Sequence, residues 1–284
     1  MGKVIAVANM KGGVGKTATV VGLAEALAAE GAEVLVIDLD PQANASICFA
    51  GDHELKELIE NGHTIDGFLT DLLFKKKRDI EFAQCIREHI SNVSHLGDQL
   101  PVSLLASSSE LRIVERELLF RLNRSKTDLN WFIEKLHEII KDQLRRTRKN
   151  YDYVLIDCAP GISLLTEVSI RLANLVIVPT IPDFLSTYGL QTFCSNLWTG
   201  EIARESVLDK PKKPHVLVTR RRPINEHANT IERLQNERLK SRPNFHLFET
   251  EVPERAAIAT ALAKSMPGPP SRRNGATRPG FSKV

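Results

Sequence analysis

An apolar run, a glycine-rich loop and a helical pattern follow one another within the first thirty residues, and they constrain the fold more than any other feature. Residues 4–8 read V-I-A-V-A without polar alternation, which predicts a strand buried on both faces of a parallel sheet. Residues 17–30 carry apolar side chains at helical spacing, and Gly31 follows where a helix end favours a left-handed residue. This order of strand, loop and helix predicts an α/β fold with a phosphate-binding loop.

The loop at residues 11–17 reads K-G-G-V-G-K-T, a variant of the phosphate-binding pattern G-x-x-x-x-G-K-[ST]. Its three glycines let backbone N–H groups approach phosphate oxygens without a side-chain clash. The N-terminus of the following helix adds partial positive charge. Lys16 is placed to neutralise the outer phosphates, and the Thr17 hydroxyl to coordinate Mg²⁺. The alternative is a glycine loop that binds nothing, which the agreement of loop and context disfavours.

Two further apolar strands end in acidic residues. Residues 34–37 lead into D-L-D-P-Q at residues 38–42, and residues 153–156 lead into Asp157. The carboxyl ends of the strands are where open α/β sheets bind ligands. Carboxylates at these positions could bind Mg²⁺ or act on an attacking water. The alternative is that they only cap ordinary loops.

Strands and helices continue to alternate along the chain. Apolar runs occur at 102–106, 175–179, 215–219 and 245–252, and helical patterns at 110–122 and 129–146. This alternation predicts a doubly wound, mostly parallel β-sheet flanked by helices. Extra helical material is expected around residues 52–100, without an assigned role.

The composition excludes several classes of protein. With 284 residues and 42% hydrophobic content, the chain can bury a full core. There is no run of 18 apolar residues, and we expect neither a signal peptide nor a membrane span. Four cysteines without a C-x-x-C pair favour reduced thiols in a cytosol. After residue 266 the chain is rich in proline, glycine and arginine, which predicts a disordered basic tail at 267–284.

One stretch is locally basic although the whole chain carries a formal net charge of only +3. Residues 200–245 contain 11 Lys and Arg against 6 Asp and Glu. Clustered positive charge on one face would bind phosphate backbones without reading base sequence, and the binding would depend strongly on salt. A solvated helix face is the alternative that charge alone leaves open.

The three motifs resemble those of the ParA/MinD (Soj-like) family of deviant Walker A P-loop ATPases, and its ParA branch in particular. The family's loop reads K-G-G-x-G-K-[ST], and the resemblance implies that Lys11 reaches across a dimer interface to the phosphates of the partner. D-x-D-P-Q is its second motif, so Asp40 is expected to orient the attacking water and Asp38 to support the magnesium shell. Asp157 resembles the Walker B acid, which holds Mg²⁺ through water.

The resemblance implies a set of site residues, with departures at three positions. The ATP-binding set is Lys11, Gly12, Gly13, Val14, Gly15, Lys16, Thr17 and Ala18, of which Lys11, Lys16 and Asp40 are catalytic, and the metal set is Thr17, Asp38 and Asp157. Ala18 stands where threonine is common, and Ala159 and Gly161 depart from the family's Walker B loop. The candidate DNA-binding residues are Arg220, Arg221, Arg222, Arg233, Arg238 and Arg255.

The same resemblance implies a function. Residues 1–266 would form one ATPase domain that uses ATP and Mg²⁺, hydrolyses ATP slowly without an activating partner, and forms a homodimer with ATP. The dimer would bind non-specific DNA in a cytoplasmic, nucleoid-associated state. A ParB-like or cargo-bound partner would trigger hydrolysis, which would partition or position a plasmid, a chromosome origin or a protein cluster.

Two alternatives belong to other classes. A MinD-like regulator that cycles on membranes would attach through a C-terminal amphipathic helix, for which the Pro/Gly tail is unsuited. A nitrogenase-reductase-like protein or iron–sulfur carrier would need a C-x-x-C pair, which the sequence lacks.

Overall fold

The computed structural model describes residues 2–75, 79–125, 128–147, 151–199, 212–239 and 244–256. The strands are β1 (Lys3–Val7), β2 (Val34–Leu39), β3 (Ile86–Arg87), β4 (Ser94–His95), β5 (Asp98–Gln99), β6 (Val102–Leu105), β7 (Tyr153–Cys158), β8 (Leu175–Thr180), β9 (His215–Arg221) and β10 (His246–Pro253). The helices are α1 (Lys16–Ala29), α2 (Asn44–Glu60), α3 (Ile65–Phe74), α4 (Leu111–Ser125), α5 (Leu129–Thr147), α6 (Leu164–Leu172), α7 (Phe184–Cys194) and α8 (Asn225–Arg238), with a 3₁₀ turn at Phe82–Cys85 and a π-helical turn at Ser195–Thr199. In these residues, no helix is both long and apolar enough to cross a membrane.

Eight strands form one central sheet in the order β10-β9-β8-β1-β7-β2-β6-β3. All neighbouring pairs are parallel except the short edge strand β3, which runs antiparallel to β6. The predicted fold class, a doubly wound and mostly parallel sheet, is confirmed. Gly31 follows α1 with φ of 89°, the left-handed conformation that its position predicts.

Hydrophobic cores cover both faces of the sheet. On one face α1 and α2 pack against alternate residues of the central strands. On the other face α3 to α8 contribute the apolar side chains. Because both faces are covered, the central strands are apolar without alternation, and residues 34–39 of β2 are all buried. Polar groups of these strands are therefore concentrated at their ends.

The expectation of extra helical material around residues 52–100 is correct for α2 and α3 and wrong for the rest. Residues 79–100 form the 3₁₀ turn, the edge strand β3 and the β4–β5 hairpin. Leu96 and Gly97 both have positive φ, 52° and 97°, which is the conformation of a two-residue hairpin turn. A helix cannot continue through such a pair. The expected tail at 267–284 lies outside the described residues.

Candidate active site

The three predicted motifs meet at the carboxyl edge of the sheet because their strands are neighbours. β7 lies between β1 and β2, and Asp157 is in register with Val7 on one side and Asp38 on the other. β1 continues directly into the glycine loop. The sheet order therefore places the phosphate loop and the acids of both later motifs around one point, where open α/β sheets bind ligands.

The loop takes its shape from two glycines and from a contact with β9. Gly13 and Gly15 have φ of 74° and 90°, which residues with a side chain rarely adopt. The Thr219 hydroxyl donates to the Val14 carbonyl at 2.7 Å and ties the loop to the end of β9. Gly15 precedes α1 and no described side chain caps this helix, so the first-turn N–H groups are available to an anion.

Lys16 and Thr17, at the start of α1, lie close to the acids. The Lys16 ammonium donates to the Lys11 carbonyl at 3.1 Å. Burial lowers the pKa of Lys16, while the charges of Asp157 and Asp40 raise it. The Thr17 hydroxyl donates to Asp157 Oδ2 at 2.7 Å. The Lys16 ammonium, the Thr17 hydroxyl and the Asp157 carboxylate thus lie close together at the N-terminus of α1.

Asp157 is buried and incompletely satisfied. Burial, and then the charge of Asp38, raises the pKa of Asp157 well above its ordinary value. Its Oδ2 accepts from Thr17, but its Oδ1 has no hydrogen-bond partner among the described residues. A buried carboxylate oxygen without a donor is costly unless a cation or a water lies against it. The site therefore fits a hard cation such as Mg²⁺, which prefers oxygen ligands.

Asp38 is equally buried, but its oxygens are already engaged. Its Oδ2 accepts from the backbone N–H and the hydroxyl of Ser46, both at 2.8 Å, and its Oδ1 accepts from the Asp40 N–H at 3.0 Å. Burial nevertheless raises the pKa of Asp38 to about 6. Three donors leave this carboxylate one further lone pair for a ligand.

The acids do not make a complete metal site by themselves. Among the described residues, no three His, Cys, Asp or Glu side chains are grouped closely enough to hold a metal ion. A cation at Asp157 would have to take further ligands from the Thr17 hydroxyl, from water or from phosphate oxygens. This is the usual way in which Mg²⁺ binds beside a nucleotide.

Lys11 contacts α7 in the same chain. Its ammonium donates to the Ser186 hydroxyl at 2.9 Å and lies 3.8 Å from Asp183 Oδ1, with 41% of its side chain exposed. Asp183 is the N-cap of α7 and accepts from the Ser186 N–H at 2.7 Å. The side chain of Lys11 is therefore held at the edge of the site by the first turn of α7.

Several contributing residues were missed by sequence reasoning. Asn9 accepts from the Lys11 N–H and donates to the Pro179 carbonyl, which braces the start of the loop. Thr219 and Ser46 were likewise not singled out. The available signal was a lone polar residue at the end of an apolar strand, as at Asn9 and Thr219. Ser46 carried no such signal because it lies within an amphipathic stretch.

The candidate DNA-binding arginines divide into two groups. Arg220 and Arg222 both form ion pairs with Glu254, and Arg221 pairs with Glu251 at 2.7 Å. Arg220 also donates to the Gly13 carbonyl at 3.3 Å, so this cluster touches the phosphate loop. Its arginines are partly exposed and their charges are partly neutralised by glutamates at the end of β10.

The remaining arginines lie elsewhere. Arg233 is on α8 and lines a cavity of about 320 Å³ between α7 and α8, with Phe184 and Tyr188. Arg255 is exposed just after β10. Neither has an ion pair with any described residue. Arg238 ends α8, and its side chain lies outside the described part of the structure.

Comparison with known proteins agrees with this geometry. A protein-family model described as an AAA domain matches residues 2–206. Soj, a sporulation initiation inhibitor protein of Bacillus subtilis, is 29% identical over 67% of this chain and 62% of its own length. The chromosome partitioning protein ParA of Myxococcus xanthus is 24% identical over 91% of this chain and 78% of its own. The chain belongs to this AAA domain family, within its ParA/MinD group.

Solved structures share the fold of this ParA/MinD protein. Apo McdA of Cyanothece has a TM-score of 0.67 and 18% identity, covering 93% of this chain and 91% of McdA. Cobyrinic acid a,c-diamide synthase of Mycobacterium smegmatis, solved with ADP and magnesium, has a TM-score of 0.66 and 22% identity over 93% and 92%. ParA of pNOB8, solved on non-specific DNA, has a TM-score of 0.63 and 23% identity over 88% and 79%. At these identities the likeness establishes the fold alone.

Proposed function

We propose that this ParA/MinD protein is a Mg²⁺-dependent ATPase that closes into a dimer with ATP, binds DNA without reading its sequence, and partitions or positions a cargo when ATP is hydrolysed. Residues 1–266 would form the single ATPase domain. The cargo would be a plasmid, a chromosome origin or a protein cluster, and a ParB-like or cargo-bound partner would trigger hydrolysis. The protein would then act in the cytoplasm, on the nucleoid.

The observation that carries this proposal is the Oδ1 of Asp157, which has no hydrogen-bond partner in the described part of the chain and is buried beside Thr17 and Lys16 at the N-terminus of α1. Thr17 and Asp157 would hold Mg²⁺, the acid through water, with Asp38 behind them. When bound, Mg²⁺ supplies charge that neutralises the phosphates of ATP. McdA of Cyanothece, in an aspartate-to-alanine variant, is itself solved with ATP.

Different residues of this chain would then bind the phosphates and orient the attacking water. Backbone N–H groups of the loop and the Lys16 ammonium bind the phosphates and hold the γ-phosphate in place. Asp40, which is buried beside this point, orients the attacking water. Positioning and charge stabilisation account for most of the catalysis in phosphoryl transfer, so slow turnover without a partner is expected where the site is incomplete.

A second copy of the chain would complete the site. Lys11 is held by the first turn of α7, and the same end of that helix exposes apolar side chains: Phe184, Leu185 and Tyr188 are 65%, 70% and 69% exposed. Apolar surface of this kind next to a partly exposed lysine favours coverage by another protein surface. In the proposed dimer the second copy covers α7, and each Lys11 leaves Asp183 for the phosphates held by its partner.

DNA binding would use the arginines near the end of β9 and on α8. ParA of pNOB8 is solved on non-specific DNA, which supports this assignment for the present chain. Arg233 and Arg255, which lack ion pairs with described residues, are the more available charges. The relatives named above do not favour membrane cycling of the MinD type.

The test measures binding of the full chain to a random duplex by fluorescence anisotropy, with ADP and with ATP, at several salt concentrations. We expect tight binding only with ATP and a steep loss with salt. Asp40→Ala should bind ATP without hydrolysing the nucleotide and should remain on DNA. Lys11→Ala should bind ATP but form neither the dimer nor the DNA complex. Equal DNA affinity with both nucleotides would contradict the proposal, and sedimentation with anionic vesicles in ATP would then point to a membrane regulator.

A further inference from the structure

The loop that carries Asp40 is held in place by a chain of buried and partly buried hydrogen bonds. The Asp40 N–H donates to Asp38 Oδ1 at 3.0 Å, and the Gln42 N–H donates to Asp40 Oδ1 at 2.9 Å. Ala43 N–H donates to the Asp40 carbonyl, although Ala43 has φ of 53°, which is unusual for a residue with a side chain. The conformation of this loop therefore depends on Asp38 staying in one orientation.

Ser46 determines that orientation. Its N–H and its hydroxyl both donate to Asp38 Oδ2 at 2.8 Å, and its hydroxyl oxygen accepts from the Ser107 N–H at 2.9 Å. Ser46, Ser107 and Asp38 are all fully buried. Water cannot replace a missing donor easily at such a position, so each bond in the chain constrains the next.

This chain of hydrogen bonds connects three parts of the fold that are separate in sequence. Ser46 belongs to the first turn of α2, Asp38 to β2, and Ser107 to the segment after β6. Since β2 and β6 are neighbours in the sheet, the Ser107 N–H comes from the rigid frame of the protein. The Ser46 hydroxyl, held by this N–H, fixes the orientation of the Asp38 carboxylate. Asp38 in turn fixes the position of the Asp40 backbone N–H.

We propose that Ser46 is a positioning residue for the hydrolytic step, acting through Asp38 on Asp40. The inference rests on the proposed function, in which Asp40 orients the attacking water. Small displacements of a group that acts on a reacting atom reduce the rate strongly while substrate binding elsewhere is preserved. Ser46 therefore governs turnover and not ATP affinity, because the groups that bind phosphate are on the glycine loop.

The chain offers a matched control at Ser108. Its hydroxyl donates to Asp66 Oδ2 at 3.0 Å and accepts from the Glu110 N–H at 3.1 Å, the same pattern that Ser46 has with Asp38 and Ser107. Ser108 is also buried, at 3% exposure. Its carboxylate partner makes no hydrogen bond to Asp38 or Asp40 within the described residues. Ser108→Ala thus removes an equivalent bond and leaves the bonds among Asp38, Ser46 and the Ser107 N–H in place.

The first measurement compares turnover with binding. In Ser46→Ala we expect kcat for ATP to fall about 10- to 100-fold, with the Kd for ATP within about threefold of wild type. Ser108→Ala should lower the thermal midpoint similarly and leave kcat within about twofold. Ser46→Cys keeps the shape of the side chain, with a somewhat larger atom, and retains a weak donor, so it should give an intermediate kcat.

The second measurement does not use the loaded enzyme. Amide hydrogen exchange, followed by mass spectrometry on the nucleotide-free protein, should accelerate over residues 40–46 in Ser46→Ala and Ser46→Cys and stay unchanged there in Ser108→Ala. Exchange and kcat that change equally in both serine-to-alanine variants would overturn the proposal, since the effect would then be general destabilisation. If wild type hydrolyses no ATP, the proposed function fails, while the exchange comparison still decides whether Ser46 positions the loop.

Discussion

Two charged regions lie close together at the carboxyl edge of the sheet, and their carboxylates behave in opposite ways. Asp38 and Asp157 are buried, and burial raises the pKa of each. Glu254, at the end of β10, lies at the surface between Arg220 and Arg222, and hydrogen bonds from these two lower its pKa to about 2. The acid region, formed by Asp38 and Asp157, holds negative charge without a sufficient counter-charge. The arginine region, formed by Arg220 to Arg222 with Glu251 and Glu254, contains paired charges of both signs.

The two regions therefore differ in how their charges are compensated: the buried acids lack a paired cation among the described residues, whereas the exposed arginines are paired with glutamates. A buried carboxylate costs free energy that a bound cation removes, so the acid region is less stable alone than with its ligand. Exposed ion pairs contribute little to stability and exchange partners readily. The acid region should therefore respond to nucleotide and Mg²⁺, and the arginine region to DNA and salt.

The largest expected effect is at the positive side of the acid region. Lys16→Ala removes the buried ammonium that is proposed to bind the phosphates, and we expect the Kd for ATP to rise at least about 100-fold. Binding of a fluorescent ATP analogue, followed by titration, measures this. Lys3→Ala removes an exposed lysine at the opposite end of β1 and serves as the control. ATP binding by Lys16→Ala within threefold of wild type would mean that the phosphates lie elsewhere.

A second prediction concerns the stability of the acid region. Asp157→Asn removes a buried charge, so the nucleotide-free protein should gain roughly 1–3 kcal/mol at neutral pH and lose its stabilisation by Mg²⁺ and ADP. Denaturant unfolding with and without both ligands measures the two effects. Asp71→Asn is a control of opposite sign, because backbone N–H groups of Ile80 and Asp79 lower the pKa of Asp71 and its charged form is the stable one.

The same region predicts a pH dependence. The pKa of Asp38 in the folded protein is about 6, above its ordinary value of 3.8, so the folded state binds the proton more tightly than the unfolded state. Without ligand, the contribution of this group to stability is greatest below about pH 4 and is lost as the pH rises through 6. Asp157 adds to the loss in the same direction. Asp157→Asn should therefore flatten the profile, and an unchanged slope would contradict the assignment.

The sequence predicts the acid region well because it depends on strand order and on local motifs. Apolar strands that end in Asp38 and Asp157, with a glycine loop after a third strand, converge in any parallel sheet that places them side by side. The bonds of Ser46 were not predictable in this way. They require the left-handed conformation at Ala43 and the adjacency of β6 to β2, neither of which has a local signal.

The arginine region was predicted less completely, because the pairing of β10 with β9 brings in glutamates from outside the basic segment. The count of charges over residues 200–245 stops before Glu251 and Glu254. These glutamates reach Arg220 to Arg222 because β10 pairs in parallel with β9 and Pro253 lies opposite Arg221. Excess charge along a segment overstates the free positive charge whenever a neighbouring strand supplies the acids. The contact between Lys11 and Asp183 was unpredictable for a similar reason, since it joins residues that are 172 positions apart in the sequence.

The smallest expected effect is a change of partner in the arginine region. Glu254→Gln weakens the hold on Arg220 and Arg222, so affinity for random duplex DNA in ATP should rise about two- to fivefold at low salt, with a steeper salt slope. Glu226→Gln makes the same change of net charge at an exposed position of α8, and should give a smaller increase. Equal increases in the two variants would show that only net charge matters.

The dependence of stability on pH supplies an independent comparison with the acid region. Since the folded pKa of Glu254 is below its ordinary value of 4.5, its contribution to stability is present above pH 4.5 and is lost as the pH falls towards 2, so wild type and Glu254→Gln should converge in stability on acidification.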